Sequence, residues 1–115
     1  MEPMNDSILV FKFGGASVKS AEAINNVIDI LKLYANRKIV VVVSAMGKTT
    51  NNLESLFEAA INQDKELFTS RKETLYDFHI KIINRLFSNE AYETIKHKID
   101  QVFEDVNAFY LEQSD

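Results

Sequence analysis

The chain has 115 residues, of which 46% are hydrophobic, and this size and composition fit one globular domain or less. Its 13 basic and 17 acidic residues give a formal net charge of −4 without a basic cluster, which disfavours nucleic-acid binding. The sequence contains no cysteine, which excludes disulfides, thiolate metal sites and cysteine nucleophiles.

Membrane attachment and export are also disfavoured. Residues 1–7 lack the basic region and long apolar stretch of a signal peptide. The most apolar run, Ile39–Val43, is far shorter than the ~20 residues of a membrane span. We interpret the two histidines, His79 and His97, as ordinary helix-surface residues rather than metal ligands. We therefore expect a cytoplasmic protein without a metal site formed by these histidines.

The glycines divide the chain into two parts. All three glycines, Gly14, Gly15 and Gly47, lie in the first 47 residues, and the only proline is Pro3. Residues 48–115 therefore contain neither glycine nor proline. This distribution predicts strands and tight turns in the first part and uninterrupted helices in the second.

The first part predicts a β-α-β unit. An apolar run, Ile8–Phe13, ends at the glycine pair and predicts a buried strand. Ser20 is a suitable N-cap for the next helix, and Glu22 suits the positive end of its dipole. The residues expected to be buried by this helix are Ile24, Val27, Ile28 and Leu31. The β-branched run Ile39–Val43 is apolar on both faces, which predicts an interior parallel strand after a right-handed crossover.

The second part predicts three helices separated by polar breaks at residues 62–64 and 88–89. Asn51 and Glu54 resemble a capping box at the start of the first helix. The apolar faces of the three helices would contain Leu53, Leu56, Phe57, Ala60 and Ile61, then Leu67, Phe68, Leu75, Phe78, Ile82 and Leu86, then Ile95, Ile99, Val102, Phe103 and Val106. We expect the two longer helices to form an antiparallel hairpin, because each apolar stripe is too short for a sustained coiled coil.

The loop after the first strand has the features of a phosphate site. Lys12 stands at the end of the strand, from which its ammonium group can reach beyond the edge of the sheet. Gly14 and Gly15 let backbone N–H groups approach a bulky anion, and a helix N-terminus nearby adds a favourable field. Ligands of open α/β sheets bind at this end of the strands. The residues alone are equally compatible with a plain turn beside a surface lysine.

The loop after the second strand opens on the same edge of the predicted sheet. Its polar residues include Ser44, Lys48, Thr49 and Thr50. Gly47-Lys48-Thr49 resembles part of a P-loop, but that pattern needs a glycine five residues before Gly47. Val42 stands there, within the predicted strand, so the P-loop interpretation fails. A polar cluster that only begins a helix is the simpler interpretation of this loop when it is considered alone.

Together, the two loops resemble those of the aspartate kinases, within the amino-acid kinase superfamily. The first strand of that family ends in Lys-Phe-Gly-Gly-Thr-Ser, which residues 12–17 match except at one position. The second ends in Val-Val-Ser-Ala, followed by a Thr-Asn pair, and residues 42–51 match this pattern. Glutamate, acetylglutamate and uridylate kinases keep a lysine–glycine loop but not this pair of loops. The resemblance covers essentially the whole chain.

The resemblance implies an α/β fold, the N-terminal part of the three-layer αβα sandwich of the amino-acid kinases. Residues 1–115 would be the N-terminal portion of a catalytic domain, truncated before the remainder. Residues 7–50 would form the β-α-β unit with both ligand loops, and residues 51–113 a helical segment. The implied reaction is phosphoryl transfer from MgATP to the side-chain carboxylate of L-aspartate, giving 4-phospho-L-aspartate for lysine, threonine and methionine biosynthesis. We expect a homo-oligomeric enzyme and an inactive isolated chain.

The resemblance also implies roles for individual residues. Lys12 would contact the transferring phosphoryl group, and the nucleotide site would comprise Lys12, Phe13, Gly14 and Gly15. Ser44 and Thr50 would bind aspartate. No residue here is assigned to Mg²⁺, which would be bound mainly by other parts of the enzyme. Ala16 stands where the family usually has threonine, so a hydroxyl contact is lost there, although Ser17 is kept.

Two other interpretations stay open. Residues 48–115 could form a helical interaction module with vestigial loops before it. The chain could also belong to another acyl-phosphate kinase of the same superfamily.

Overall fold

The computed structural model describes residues 7–113, so residues 1–6, which bear on the signal-peptide prediction, lie outside it. The elements are β1 (Leu9–Phe13), a 3₁₀ turn (Gly15–Val18), α1 (Ala21–Lys32), β2 (Ile39–Val43), α2 (Thr49–Ile61), α3 (Lys65–Leu86) and α4 (Asn89–Glu112). The chain divides into two compact units between Lys48 and Thr49. The first unit contains both strands and α1, and the second contains α2, α3 and α4. The predicted α/β fold class is confirmed.

β1 and β2 form a parallel two-stranded sheet. Leu9 donates a main-chain hydrogen bond of 3.0 Å to Lys38, and Ser44 donates one of 2.9 Å to Phe13. Successive residues of a parallel strand direct their main-chain groups to opposite edges, so alternate residues of β1 bond to β2. Lys12 therefore directs its N–H and C=O to the other edge of β1, where no strand lies in the described part of the chain.

α1 covers one face of this sheet. The core of the first unit consists of Phe13, Val18 and Val27, with Phe11, Ile24, Ile30, Leu31 and Met46 packed against it. The rings of Phe11 and Phe13 lie 6.2 Å apart in a nearly parallel arrangement, and Tyr34 packs at 5.0 Å from Phe11. These contacts fix the orientation of β1, because they hold alternate side chains of the strand against α1.

The beginning of α1 agrees with the sequence prediction. The Ser20 hydroxyl accepts a hydrogen bond of 3.1 Å from the N–H of Ala23, and Glu22 lies in the first turn. Ile28, however, is 41% exposed, so its prediction as a buried residue is wrong. It lies 100° around the helix from the buried Val27, beyond the margin of the face that meets the sheet.

The opposite face of the sheet is uncovered in residues 7–113. Val10 is 68% exposed, and Val40 and Val42 are 46% and 47% exposed. Within residues 7–113, β1 is therefore buried on one face only, and each of the two strands has one unpaired edge, so the interior position of β2 stays a prediction. A purely apolar strand normally has a layer on each face, and here only one layer is present.

The second unit has its own core, formed by Leu56, Ala59, Ala60, Phe68 and Val106. Aromatic contacts show that α3 and α4 run antiparallel, since the partner on α4 moves backwards as the residue on α3 moves forwards. Phe68 stacks on Tyr110 at 4.5 Å, and Tyr76 meets Phe103 edge-on at 5.3 Å. The predicted helical hairpin is confirmed.

The two polar breaks lie where the sequence predicts them. Gln63 has a φ of 57°, in the left-handed region, and this residue ends the turn after α2. Asp64 then caps α3 by accepting a hydrogen bond of 3.1 Å from the N–H of Leu67. The Gln63 side-chain amide donates to the carbonyl of Gln113, which ties this turn to the end of α4. Ser88 is the N-cap of α4.

The start of α2 differs from the prediction. α2 begins at Thr49, so Asn51 lies inside the helix and the capping box of Asn51 with Glu54 is wrong. Residues 49–52 are all cap-forming types, and the pattern therefore locates the helix start only to within this run.

The apolar faces of the helices also differ in places from the predicted ones. Ile61, Leu67 and Val102 are 63%, 38% and 58% exposed. Ala59 and Ile83 are buried although neither belongs to the predicted apolar faces. Small or adjacent apolar residues of this kind join a core when the neighbouring helix contacts that side, and periodicity does not specify the side.

Candidate functional site

The two candidate loops lie at one edge of the sheet. β1 and β2 are parallel, so residues 14–18 and residues 44–48 both begin at the carboxyl ends of strands. The 2.9 Å hydrogen bond from the Ser44 N–H to the Phe13 carbonyl joins the starts of the two loops. This is the edge at which open α/β sheets bind ligands.

Lys12 is the penultimate residue of β1 and pairs in register with Val42. Its side chain is exposed, whereas those of Phe11 and Phe13 pack toward α1. Because side chains alternate along a strand, Lys12 lies on the face of the sheet that α1 leaves open. The ammonium group of Lys12 is therefore accessible to solvent beside the loop after β1, and it extends from a backbone held in the sheet.

The main chain at Gly14 is open to its surroundings on the side where a side chain would lie. No atom lies within 4 Å of the position that a side-chain carbon would occupy there, and its φ of −77° is accessible to any residue. The N–H groups of Gly14 and Gly15 have no hydrogen-bond acceptor among residues 7–113. Ser17 donates a 3.0 Å hydrogen bond to the Gly14 carbonyl, which closes the turn behind these donors. Two adjacent unsatisfied donors in an open turn suit an anion such as a phosphate.

Gly15 contacts the second loop directly. Its carbonyl accepts a hydrogen bond of 3.1 Å from the N–H of Gly47. A methyl group placed on Gly15 would lie 2.8 Å from the Gly47 carbonyl oxygen and 3.1 Å from that of Ala45. This contact is not evident in the sequence, because the glycine pair indicates a tight turn without indicating what approaches it.

The other predicted site residues have different surroundings. The ring of Phe13 is buried in the core of the first unit, so only its main chain is available at the loop. Ser44 is exposed directly after β2. The structure thus brings Lys12, Phe13, Gly14, Gly15 and Ser44 to one edge of the sheet. Thr50 belongs to the second unit, where it is an exposed residue in the first turn of α2.

The charges at this edge favour a phosphate-bearing ligand. Lys12 and Lys48 are exposed cations, and neither loop contains an acidic residue. Residues 7–113 contain no cluster of three or more histidine, aspartate or glutamate side chains arranged to hold a metal ion. The two loops thus offer main-chain N–H donors and lysine side chains, which suit an anion, and they contain no carboxylate.

None of the helices within residues 7–113 combines the length and the apolar character needed to cross a membrane.

The chain is similar in sequence to several aspartokinases. The chain is 38% identical over 79 residues to aspartokinase 1, chloroplastic, of Arabidopsis thaliana, a match covering 67% of this chain and 14% of that protein. It is 34% identical over 98 residues to aspartokinase 2 of Bacillus subtilis, covering 78% and 23%. It is 47% identical over 57 residues to the aspartokinase of Geobacillus stearothermophilus, covering 48% and 14%.

The chain therefore spans less than a quarter of the length of these curated relatives. The family model of the amino acid kinase family matches residues 7–113, which include both loops and all of the described helices. The chain belongs to the amino acid kinase family.

Proposed function

We propose that this chain supplies the N-terminal part of an aspartate kinase active site. The reaction is phosphoryl transfer from ATP to the side-chain carboxylate of L-aspartate. The observation that carries the proposal is the junction of two loops at one edge of a parallel sheet, one with open N–H donors and a lysine, the other beginning with an exposed serine. The similarity to aspartokinases from plants and bacteria supports the choice of aspartate as acceptor.

The first loop would hold the phosphoryl donor. The free N–H groups of Gly14 and Gly15 would bind phosphate oxygens, and Gly14 leaves room for them to approach. Lys12 would neutralise the negative charge that spreads over the transferring phosphoryl oxygens in the transition state. Lys12 therefore contributes to the rate more than to ground-state binding.

The acceptor side of the proposal concerns Ser44 and Thr50. Ser44 would hydrogen-bond to aspartate from the loop after β2, and Thr50 keeps the role in aspartate binding that the resemblance to aspartate kinases implies. Neither residue has to act as a nucleophile, because the substrate carboxylate itself attacks the phosphorus atom. The protein contributes orientation and charge neutralisation, which is consistent with the absence of histidine and cysteine from both loops.

Mg²⁺ bound to the nucleotide would neutralise part of the phosphate charge. Neither loop contains a carboxylate, so no residue of the two loops is assigned as a magnesium ligand. We further propose a cytoplasmic, homo-oligomeric enzyme that begins lysine, threonine and methionine biosynthesis. A relative from Arabidopsis is chloroplastic by name, so location is a point on which family members differ.

A chimera tests the proposed function. Residues 7–113 replace the matching stretch of aspartokinase 2 of Bacillus subtilis, and hydroxamate formation is measured with ATP and L-aspartate. We expect activity that requires both substrates and is lost in the Lys12→Ala chimera. The isolated 115-residue chain should show no activity above the buffer background, because it lacks most of the length of its relatives.

The choice of acceptor distinguishes aspartate kinase from other acyl-phosphate kinases. L-glutamate and N-acetyl-L-glutamate are supplied in place of L-aspartate, and the chimera should use neither efficiently. A folded chimera that prefers either of them, or that shows no turnover with any acceptor, would overturn the proposal.

A further inference from the structure

We propose that Gly15 and Gly47 form a main-chain clasp that sets the distance between the phosphate loop and the acceptor loop, and that both are positioning residues for phosphoryl transfer. The phosphate loop is residues 14–18 and the acceptor loop is residues 44–48. The proposal rests on the function proposed above and adds to it a contact between the loops: the Gly15 carbonyl, whose residue is also assigned to phosphate through its N–H, and Gly47, which is assigned to neither substrate.

Two main-chain hydrogen bonds join the loops. The first, from Ser44 to Phe13, continues the sheet ladder at 2.9 Å, and the second, from Gly47 to Gly15, lies beyond the strands at 3.1 Å. Neither bond involves a side chain, so no rotamer change can loosen it. The loops are therefore held together at two points, where β1 and β2 end and again between Gly15 and Gly47.

Gly15 is needed for the closeness of this contact. A methyl group there would be 2.8 Å from the Gly47 oxygen and 3.1 Å from the Ala45 oxygen. Both neighbours are main-chain carbonyls, which cannot rotate away as a flexible side chain can. The loops would have to separate by roughly half an ångström before carbon and oxygen reached an ordinary contact distance.

Gly47 is needed for a different reason. Its φ of 57° places it in the left-handed region, which residues with a side chain rarely adopt. The same residue donates its N–H to the Gly15 carbonyl. Asparagine adopts the left-handed region more readily than alanine, so the two substitutions separate backbone conformation from the addition of a side chain.

The clasp matters for catalysis because donor and acceptor sit on different loops. A displacement of about 1 Å between reacting groups can reduce the rate on the order of 100-fold. Each loop would still bind its own substrate after the clasp opened, since Lys12, Gly14 and Ser44 keep their places along the chain. The expected signature is a fall in kcat with little change in either KM.

The kinetic test uses the chimera described above. Gly15→Ala and Gly47→Ala should lower kcat by about 10- to 100-fold, with KM for ATP and aspartate changing by less than about threefold. Gly47→Asn should recover part of the loss seen in Gly47→Ala. A proportional rise in both KM values with unchanged kcat, or unchanged kinetics, would overturn the positioning role.

A second measurement needs no activity. In the 115-residue chain, amide exchange followed by NMR should show a protected Gly47 N–H that Gly15→Ala exposes to exchange and Gly14→Ala leaves protected. Gly14→Ala is the matched control because no atom lies near its added methyl group. An unprotected Gly47 N–H in the wild-type chain would refute the clasp. A protected Gly47 N–H in an inactive wild-type chimera would refute the proposed function, and with it the positioning role.

Discussion

The phenolic hydroxyl of Tyr76 on α3 donates a 2.6 Å hydrogen bond to the carboxylate of Asp100 on α4. Lys96 contacts the same carboxylate at 2.9 Å from one turn earlier on α4. The hydrogen bonds from Tyr76 and Lys96 lower the pKa of Asp100. The bond to Asp100 raises the pKa of Tyr76 and also that of Lys96. This network joins the two long helices near the middle of the hairpin.

This network predicts that the free energy of unfolding decreases both at acid pH and at alkaline pH. The pKa of Asp100 is lower in the folded state, so its contribution is present above the unfolded pKa and is lost as pH falls through the folded one. The pKa values of Tyr76 and Lys96 are higher in the folded state, so their contributions are present at neutral pH and are lost as pH rises through the raised values.

Urea unfolding of wild type, Asp100→Asn and Tyr76→Phe from about pH 2 to pH 11 measures this dependence. Asp100→Asn should reduce the loss of unfolding free energy at acid pH. Tyr76→Phe should reduce the loss at both acid and alkaline pH. Asp105→Asn, at an exposed aspartate on the same helix, is the control. If Asp100→Asn lost as much unfolding free energy at acid pH as wild type, other carboxylates would be the cause of that loss.

Substitution of Lys12 should reduce turnover. In the active chimera, Lys12→Ala should lower kcat by at least ~100-fold with little change in the fold, because the charge acts mainly in the transition state. Lys38→Ala is the control, since this exposed lysine precedes β2 at the opposite end of the sheet. Turnover within about threefold of wild type in Lys12→Ala would make it an ordinary surface lysine.

Substitution of Thr50 should affect the acceptor substrate. Thr50→Ala in the chimera should raise KM for aspartate more than KM for ATP, because its hydroxyl is assigned to the amino acid. Thr74→Ala, at an exposed threonine on α3, should change neither constant. Steady-state kinetics with each substrate varied in turn measure both values, and a larger change in KM for ATP would contradict the assignment.

The core of the second unit should be sensitive to truncation. Phe68 is 1% exposed and stacks on Tyr110, so Phe68→Ala should lower the free energy of unfolding by about 3–5 kcal/mol. Ile61→Ala should change it by less than about 0.5 kcal/mol, because Ile61 is 63% exposed. Chemical denaturation compares them, and equal losses would mean that Ile61 is buried in solution.

The isolated chain should self-associate. The exposed valines of β2 and the open edges of both strands are templates for pairing with another chain. Sedimentation equilibrium should detect a dimer or larger species, and Val40→Lys with Val42→Lys should reduce association. A single 13.2 kDa species with cooperative unfolding in the wild-type chain would contradict this prediction.

Much of the fold could be predicted because local chemistry determines it. Ile39–Val43 is bounded by polar residues and coincides with β2, and Ser20 caps α1 as its hydroxyl suggests. The start of α2 could not be predicted to the residue, because four successive cap-forming residues compete for that position. The exposure of Ile28 and Ile61 depends on which side of each helix meets a neighbour, and helical periodicity alone leaves that side ambiguous.

The candidate site divides in the same way. The lysine and the glycine pair could be selected from the sequence because their residue types suit an anion, and Ser44 because of the resemblance to aspartate kinases; their roles stay predictions. The contact between Gly15 and Gly47 could not be predicted, since it depends on the close approach of two loops whose residues are 32 positions apart. The sequence of each loop indicates which groups can contact a ligand. The contacts between the two loops are determined by the tertiary structure.

The direction of the β1 main chain connects assembly of the sheet with ordering of the site. Lys12 has its side chain on the uncovered face and its N–H and C=O on the open edge of β1. A strand that joined this edge would hydrogen-bond to Lys12 itself and restrict the backbone from which its ammonium group extends. Growth of the sheet at that edge would therefore restrict the position of the Lys12 ammonium group, for which we propose contact with the phosphoryl oxygens.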